Sequence, residues 1–401
     1  MDKILSLEHI YRASHVLKSV IRHTDLLYAP SIKEGCKIYI KPENLQVTGS
    51  FKVRGASYMI SQLTEEEKKR GVIACSAGNH AQGVALAALK HGIQSVICLP
   101  EGAPISKVEA TRNYGAGICL VQGVYDDAYQ KALQLKEEKG LTFVHPFDDP
   151  LVIAGQGTIG LEILEDLPDV DAIIVPIGGG GLISGVAYAV KQLNPRVKIY
   201  GVQAEGAPSM VNSLREHKIT RLDNVSTIAD GIAVKEPGEH TFNYCNDLVD
   251  DIVTVTEDEI CAAILMLLEK HKLIAEGAGA VSVAAAMFGK LPIDHLKTVC
   301  LVSGGNIDVN FLSRIISRGL KKSGRKCTLV IETMDKPGQL LGVSQVIASL
   351  GANVTAVLHE RTISIANVNS CALRVSMETR DEHHIQEIRK ALTDKGFKII
   401  E

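Results

Sequence analysis

Residues 72–99 read VIACSAGNHAQGVALAALKHGIQSVICL. Val72–Cys75 and Ser95–Leu99 are short apolar runs of strand character, and His80–His91 between them has helical spacing. Two strands joined by a crossover helix lie parallel in one sheet. The alternation continues on both sides of this unit. Gly117–Val121, Ala172–Ile177 and Lys198–Gln203 read as strands, and Ser106–Tyr114, Tyr125–Lys139, Leu182–Leu193 and Glu257–His271 read as helices. The pattern predicts an α/β fold whose parallel sheets are covered on both faces, with more than one such sheet.

The chain has 401 residues, too many for one compact core, so two or three domains are expected. A net charge of -3, no Trp and 4% aromatic residues argue against a nucleic-acid partner. No apolar run approaches the roughly 20 residues of a membrane span, and the start, MDKILSLEHIYRASH, lacks the apolar core of a signal peptide. Nine scattered cysteines without C-x-x-C point to reduced thiols in the cytoplasm. There is no HExxH and no Cys/His cluster in the sequence, so no metal is expected, and His383 and His384 read as solvated helix residues.

Four short stretches carry chemistry together. In Ser50-Phe51-Lys52-Val53-Arg54-Gly55-Ala56, Lys52 opens a helix behind the turn Thr48-Gly49-Ser50. A lysine is nucleophilic only when neutral, which burial favours. Ser76-Ala77-Gly78-Asn79-His80 ends a strand and starts a helix, where free backbone N–H groups suit a carboxylate. Gly178-Gly179-Gly180-Gly181-Leu182 follows an apolar run and suits a phosphate, but lacks the Lys-Ser/Thr of a nucleotide loop. Ser303-Gly304-Gly305-Asn306 puts a hydroxyl at a strand end, with room for a flat ring. Each stretch alone also reads as an ordinary turn or a solvated charge. Gly155, Gly157 and Gly160 match G-x-G-x-x-G, but no strand of core length precedes them and no acid follows at the ribose position.

With KPENLQVTGSFKVRGA, SAGNHAQGVA, IGGGGLISG, IAEGAGA and LVSGGNID in this order, the chain resembles the fold-type II pyridoxal-phosphate family, and within it the threonine ammonia-lyase (threonine dehydratase) branch. The resemblance implies a large domain from residues 1–50 and 146–320, a small domain from 51–145, and pyridoxal 5'-phosphate between them. It implies Lys52 as the Schiff-base lysine, Phe51 packed on the ring, Asn79 at the ring oxygen, Gly178, Gly179, Gly180, Gly181 and Leu182 at the phosphate, Ser303 facing the pyridine nitrogen and Glu276 near the ring. Ser76, Ala77, Gly78, Asn79 and His80 would take the substrate carboxylate. A neutral serine at the pyridine nitrogen makes a weaker electron sink than an aspartate, which suits prompt β-elimination.

The activity implied is deamination of L-threonine to 2-oxobutanoate and ammonia, with L-serine as second substrate, in isoleucine synthesis or threonine breakdown. The alternatives are a serine racemase of the same family and a non-catalytic amino-acid sensor. Racemases of the family carry a serine acid where Ala77 stands here, and a sensor would have no need of Lys52 or Ser303.

Past Arg318 the basic, glycine-containing stretch RGLKKSGRK reads as a linker. Residues 326–401 then read as strand, helix, strand, strand, helix, strand, the ferredoxin-like order. Their string DKPGQLLGVSQVIASLGANV resembles an ACT domain, which implies an amino-acid effector, regulation and a homo-oligomer, dimer or tetramer. A plain dimerisation module is the other reading.

Overall fold

The computed structural model describes residues 5–103, 105–361 and 369–400. The chain divides into two compact units, Met1–Leu312 and Ser313–Glu401.

The first unit is built on two sheets. The larger has the strand order Leu27–Tyr28, Lys37–Pro42, Lys297–Val302, Ala172–Pro176, Lys198–Ala204, Asp251–Val255. Its strands are parallel except for the short Leu27–Tyr28 pairing. The smaller, all parallel, runs Gly117–Val121, Ser95–Pro100, Val72–Cys75, Thr142–Phe143. Ala172–Pro176 and Val72–Cys75 are wholly buried, as strands covered on both faces must be.

Gly155, Gly157 and Gly160 lie inside the helix Pro150–Asp166, which Asp149 caps through Leu151 N and Val152 N. They serve packing. A Cβ on Gly155 would come within 2.6 Å of Gly55 Cα, and one on Gly157 within 2.9 Å of Gly185 O. The helix therefore touches both Lys52–Ser61 and Gly181–Leu193 backbone to backbone.

In the second unit the strands order as Asn353–Glu360, Ser370–Glu378, Lys326–Met334, Lys398–Ile399, all antiparallel. Leu329, Ile331, Leu373, Val375 and Met377 alternate along their strands and pack against Val343, Ile347, Ile388 and Leu392 of the helices Gln339–Ser349 and Glu382–Asp394. This is the ferredoxin-like βαββαβ arrangement.

Two expectations fail. The basic stretch is no linker up to Lys322, because the helix Val309–Lys322 runs through it and buries Ile315 and Gly319. A reading that starts at Arg318 cuts off the apolar half of that helix, and Lys321 and Lys322 are favourable in a last turn. Only Ser323–Arg325 turns the chain, with Gly324 at φ 67. His384 is buried rather than solvated: its Nε2 lies 3.0 Å from Leu350 O, and its Nδ1 accepts from Arg380 N at 3.1 Å. A cluster invisible to sequence spacing also forms. Asp335, His359 and Cys371 bring ligand-type atoms within 4.8 Å of one another, where Arg361 already gives Asp335 a cation at 3.1 Å. None of the nine cysteines is in a disulfide. Among the described residues no helix is long and apolar enough to cross a membrane.

Candidate active site

Two of the four stretches, and the segment that carries Glu276, meet through backbone hydrogen bonds, and Ser76–His80 joins them through the Asn79 side chain. Phe51 N donates to Ser303 O at 3.1 Å, Gly305 N to Gly49 O at 2.9 Å, and Glu276 N to Gly304 O at 3.1 Å. The start of the helix Lys52–Ser61 is thereby stitched to the end of the strand Lys297–Val302. The glycine turn follows the neighbouring strand Ala172–Pro176. Lys52 Nζ donates to Pro146 O at 2.7 Å and lies 5.3 Å from the Phe51 ring centre. Burial lowers its amine from 10.5 to about 8, with Glu276 pulling the other way.

Burial pushes His80, His145 and Glu276 around it toward their neutral forms. His80 is pushed down to about 3 and His145 to about 4, by burial first and then by the Lys52 charge. His80 Nε2 lies 2.9 Å from Val144 O, so that nitrogen carries its proton. His145 Nδ1 accepts from Phe147 N at 3.3 Å and from Asp148 N at 2.7 Å. Glu276 is buried and raised to about 7, by desolvation and by Asp230, with Lys107, Asn79 and Lys52 opposing.

The helix Asn79–Lys90 starts behind Gly78 with no side-chain cap, while Gly78 N donates to Ser76 Oγ at 3.2 Å. The helix Gly181–Leu193 also starts uncapped, behind Gly180 at φ 98, a conformation that glycine adopts without strain. The turn is tight. A Cβ on Gly179 would stand 2.5 Å from the Phe147 ring, and one on Gly181 2.7 Å from Phe147 O. Thr241 Oγ1 steadies it by donating to Gly179 O at 2.6 Å. Ser303 is buried, and its hydroxyl has only a long 3.4 Å contact to Ala278 O.

These groups face one cavity of about 840 Å³ between the two sheets of the first unit. Every residue named above as a cofactor or substrate candidate lines it, from Phe51 and Lys52 through Ser76–His80 and Gly178–Leu182 to Glu276 and Ser303. His145, Lys107, Asp126 and Asp230 line it too, although nothing in the sequence marked them. His145 follows the two-residue strand Thr142–Phe143, too short to read from a pattern. The three charged groups are marked only by their partners across the mouth. Lys107 pairs with Asp230, and Asp126 with Arg221 at 2.9 Å and Lys235 at 3.7 Å. Asn306, at the end of its stretch, bonds Asn79 from behind.

The family profile described as pyridoxal-phosphate dependent enzyme matches residues 17–305. The chain is 52% identical over 398 residues, 99% of each chain, to the L-threonine ammonia-lyase of Thermotoga maritima. Among solved structures, the processed threonine deaminase isoform 2 of Solanum lycopersicum superposes with a TM-score of 0.74 at 41% identity, covering 78% of this chain and 93% of that one. Maize serine racemase superposes with a TM-score of 0.75 at 37% identity, over 79% and 98%. The greater identity and fuller coverage lie on the ammonia-lyase side, and the chain belongs to the pyridoxal-phosphate-dependent enzymes of fold type II, in their threonine ammonia-lyase branch.

Proposed function

We propose that this chain uses pyridoxal 5'-phosphate to deaminate L-threonine to 2-oxobutanoate and ammonia, with L-serine giving pyruvate as a second activity. The observation that carries this reading is Lys52, a buried amine held at about 8 in a cavity that also contains an uncapped glycine turn. The residues fit the cofactor. Gly179 and Gly181 exclude any side chain, so a phosphate there meets backbone N–H groups and a helix start, with Leu182 beside it. Ser303 has hydrogen-bonding capacity left for the pyridine nitrogen, Phe51 and Glu276 would lie against the ring, and Asn79 would reach its oxygen. When bound, the cofactor supplies an electrophilic carbon for amines and a ring that draws electron density from the substrate's Cα.

Lys52 does the proton work. Once the substrate's own amine takes its place, its Nζ is free as an uncharged base and removes the α-proton. His80 and His145, both neutral, add no positive charge beside it. The bare helix start at Ser76–His80 takes the substrate carboxylate and orients Cα. The β-hydroxyl leaves as water, and hydrolysis of the remaining C=N unit gives the 2-oxo acid and ammonia. Ala77 presents a methyl group to the cavity and carries no proton to return, which favours elimination over racemisation.

The second unit, in this reading, is an ACT domain that pairs with that of another copy in a dimer or tetramer and binds an amino-acid effector. A branched-chain amino acid is the leading candidate. Nine cysteines outside any disulfide fit a cytoplasmic enzyme.

The test is direct. Purified protein is assayed for 2-oxobutanoate from L-threonine, and the holoenzyme is reduced with borohydride and mapped. A pyridoxyl group on Lys52, with turnover lost in Lys52→Ala, is the expected result. Label on another lysine, or a fully active Lys52→Ala, sinks the reading, and D-serine forming from L-serine as fast as pyruvate would hand it to the racemase.

A further inference from the structure

A chain of three amides and carboxyls runs behind the cavity, and one fixed point orients all of it. Thr48 O is a backbone carbonyl and can only accept. Asn306 Nδ2 lies 2.8 Å from it, so the nitrogen of that amide must face Thr48. The second proton of the same nitrogen points to Asn79 Oδ1 at 2.8 Å. Asn79 is thus presented with a donor on one side, its oxygen must face Asn306, and its nitrogen must face the other way. There Asn79 Nδ2 donates to Glu276 Oε1 at 2.6 Å. One of its two protons remains without an acceptor among the described residues, on a side chain that lines the cavity.

The space around the chain is equally determined. A Cβ on Gly49 would collide with the Asn306 carboxamide, and one on Gly304 would stand 3.1 Å from Asn79 Nδ2. Two glycines, one from each flanking stretch, therefore let the two amides meet. With the Asn79 amide reversed, its oxygen would face the oxygen of Glu276 across a hydrogen-bond distance, and its nitrogen would face the Asn306 nitrogen. The contact between the two nitrogens would be repulsive at any pH, and the one to Glu276 whenever that carboxyl is ionised.

We propose that Asn306 is a positioning residue for the cofactor: by donating to Asn79 Oδ1 from its anchor on Thr48 O, it makes Asn79 offer a proton, not a lone pair, to the ring oxygen of pyridoxal phosphate. This rests on the reading of Asn79 as a cofactor contact. Asn306 itself does not touch the cavity. It acts through Asn79, and the electronic state of the bound ring depends on it because a donor at the ring oxygen stabilises negative charge there.

The experiment uses holoenzyme of the full chain and four variants: Asn79→Ala, Asn306→Ala, Asn306→Asp and the double alanine variant. The readouts are the visible absorption maximum across pH, the cofactor retained after dialysis, and the thermal midpoint as a check on folding. Asn79→Ala and both Asn306 variants should shift the absorption in the same direction and hold the cofactor about 10- to 100-fold less tightly, the weight of one charge-assisted hydrogen bond. An ionised aspartate matches asparagine in size but cannot donate, so at the alkaline end of the pH series Asn306→Asp should resemble alanine. The double variant should be no worse than Asn79→Ala alone, since coupled residues are not additive.

Additive losses, a wild-type spectrum and retention in Asn306→Asp at that alkaline end, or a lowered thermal midpoint with an unchanged spectrum would overturn the proposal while leaving Asn79 in place. A wild-type spectrum and retention in Asn79→Ala would remove the reading of Asn79 as a cofactor contact, and this inference with it.

Discussion

Arg54 and Glu43 are fully buried side by side and joined by two hydrogen bonds, Nε to Oε2 at 2.8 Å and Nη2 to Oε1 at 2.7 Å. The other edge of the guanidinium meets both oxygens of Glu162, at 2.6 and 3.0 Å, and Lys41, itself unexposed, meets Glu162 at 2.8 Å. Arg54 stands on the Lys52 helix, so this network fastens that helix to the segment before it and to Pro150–Asp166. Arg54→Ala leaves Glu43 with no cation among the described residues, and Glu162 with Lys41 and, at 3.9 Å, the His23 ring. The expected loss is about 3–5 kcal/mol in urea unfolding. A loss under 1 kcal/mol would mean that water replaces the guanidinium.

The same network predicts an acid limit. Burial pushes the Glu162 carboxyl up, but Arg54 and Lys41 outweigh it and hold it below the ordinary value of 4.5. A carboxylate lowered in the folded state stabilises above its unfolded pKa, and that contribution is lost as pH falls through the folded value. The urea midpoint should drop below pH 4.5 more steeply in the wild type than in Glu162→Gln.

For Lys52, the amine at about 8 sets how the cofactor-free chain takes up pyridoxal phosphate. Only the neutral amine attacks, so the uptake rate should rise about tenfold per pH unit below 8 and level off above it. An unperturbed lysine, at 10.5, would keep rising. Stopped-flow absorbance distinguishes the two, and a rate still climbing past about pH 9 would contradict the burial argument.

Glu276 titrates in the opposite sense. Its folded pKa of about 7 lies above the ordinary 4.5, so ionising it costs stability, and the cost develops as pH rises from 4.5 to 7. In cofactor-free protein Glu276→Gln should be neutral near pH 4 and more stable than the wild type above pH 7, by up to about 3 kcal/mol. The glutamine oxygen still accepts from Asn79. Denaturant midpoints across pH measure this, and a pH-independent difference would refute it.

A chain truncated after Ser323 keeps the helix Val309–Lys322 whole and removes the antiparallel sheet. It should turn over L-threonine and ignore isoleucine and valine. Effectors must bind differently to two arrangements of the enzyme to act at all, and the part that would sense them is gone. If the truncated chain is folded and loaded with cofactor but inactive, the C-terminal unit serves the reaction itself.

Strands buried on both faces were legible in the sequence because they are continuous apolar runs. Val72–Cys75 and Ala172–Pro176 lie where the pattern puts them, within a residue, and so does the half-exposed edge strand Gly117–Val121. The two-residue strands Leu27–Tyr28 and Thr142–Phe143 have no period to read. The buried helix Pro150–Asp166 was missed as an element, because it is apolar on several sides and glycine-rich where it crosses its neighbours. At the site, Lys52 and the glycine turn stand out because their chemistry is local. Asn306, Asp230 and Lys107 do not, since what they do depends on partners 227, 46 and 123 positions away. His384 misled for the same reason: its Nε2 meets Leu350 O, 34 positions away.

Ion-paired charges line the cavity where it meets solvent, Lys107 with Asp230 and Arg221 and Lys235 with Asp126. Such pairs are screened over about 30 Å in 10 mM salt but over about 8 Å at physiological strength. Pairs in contact stay inside both lengths, so salt weakens the exposed ones, Asp126 with Arg221 and Lys235, without abolishing them. Ionic strength belongs beside pH among the conditions that define its kinetics.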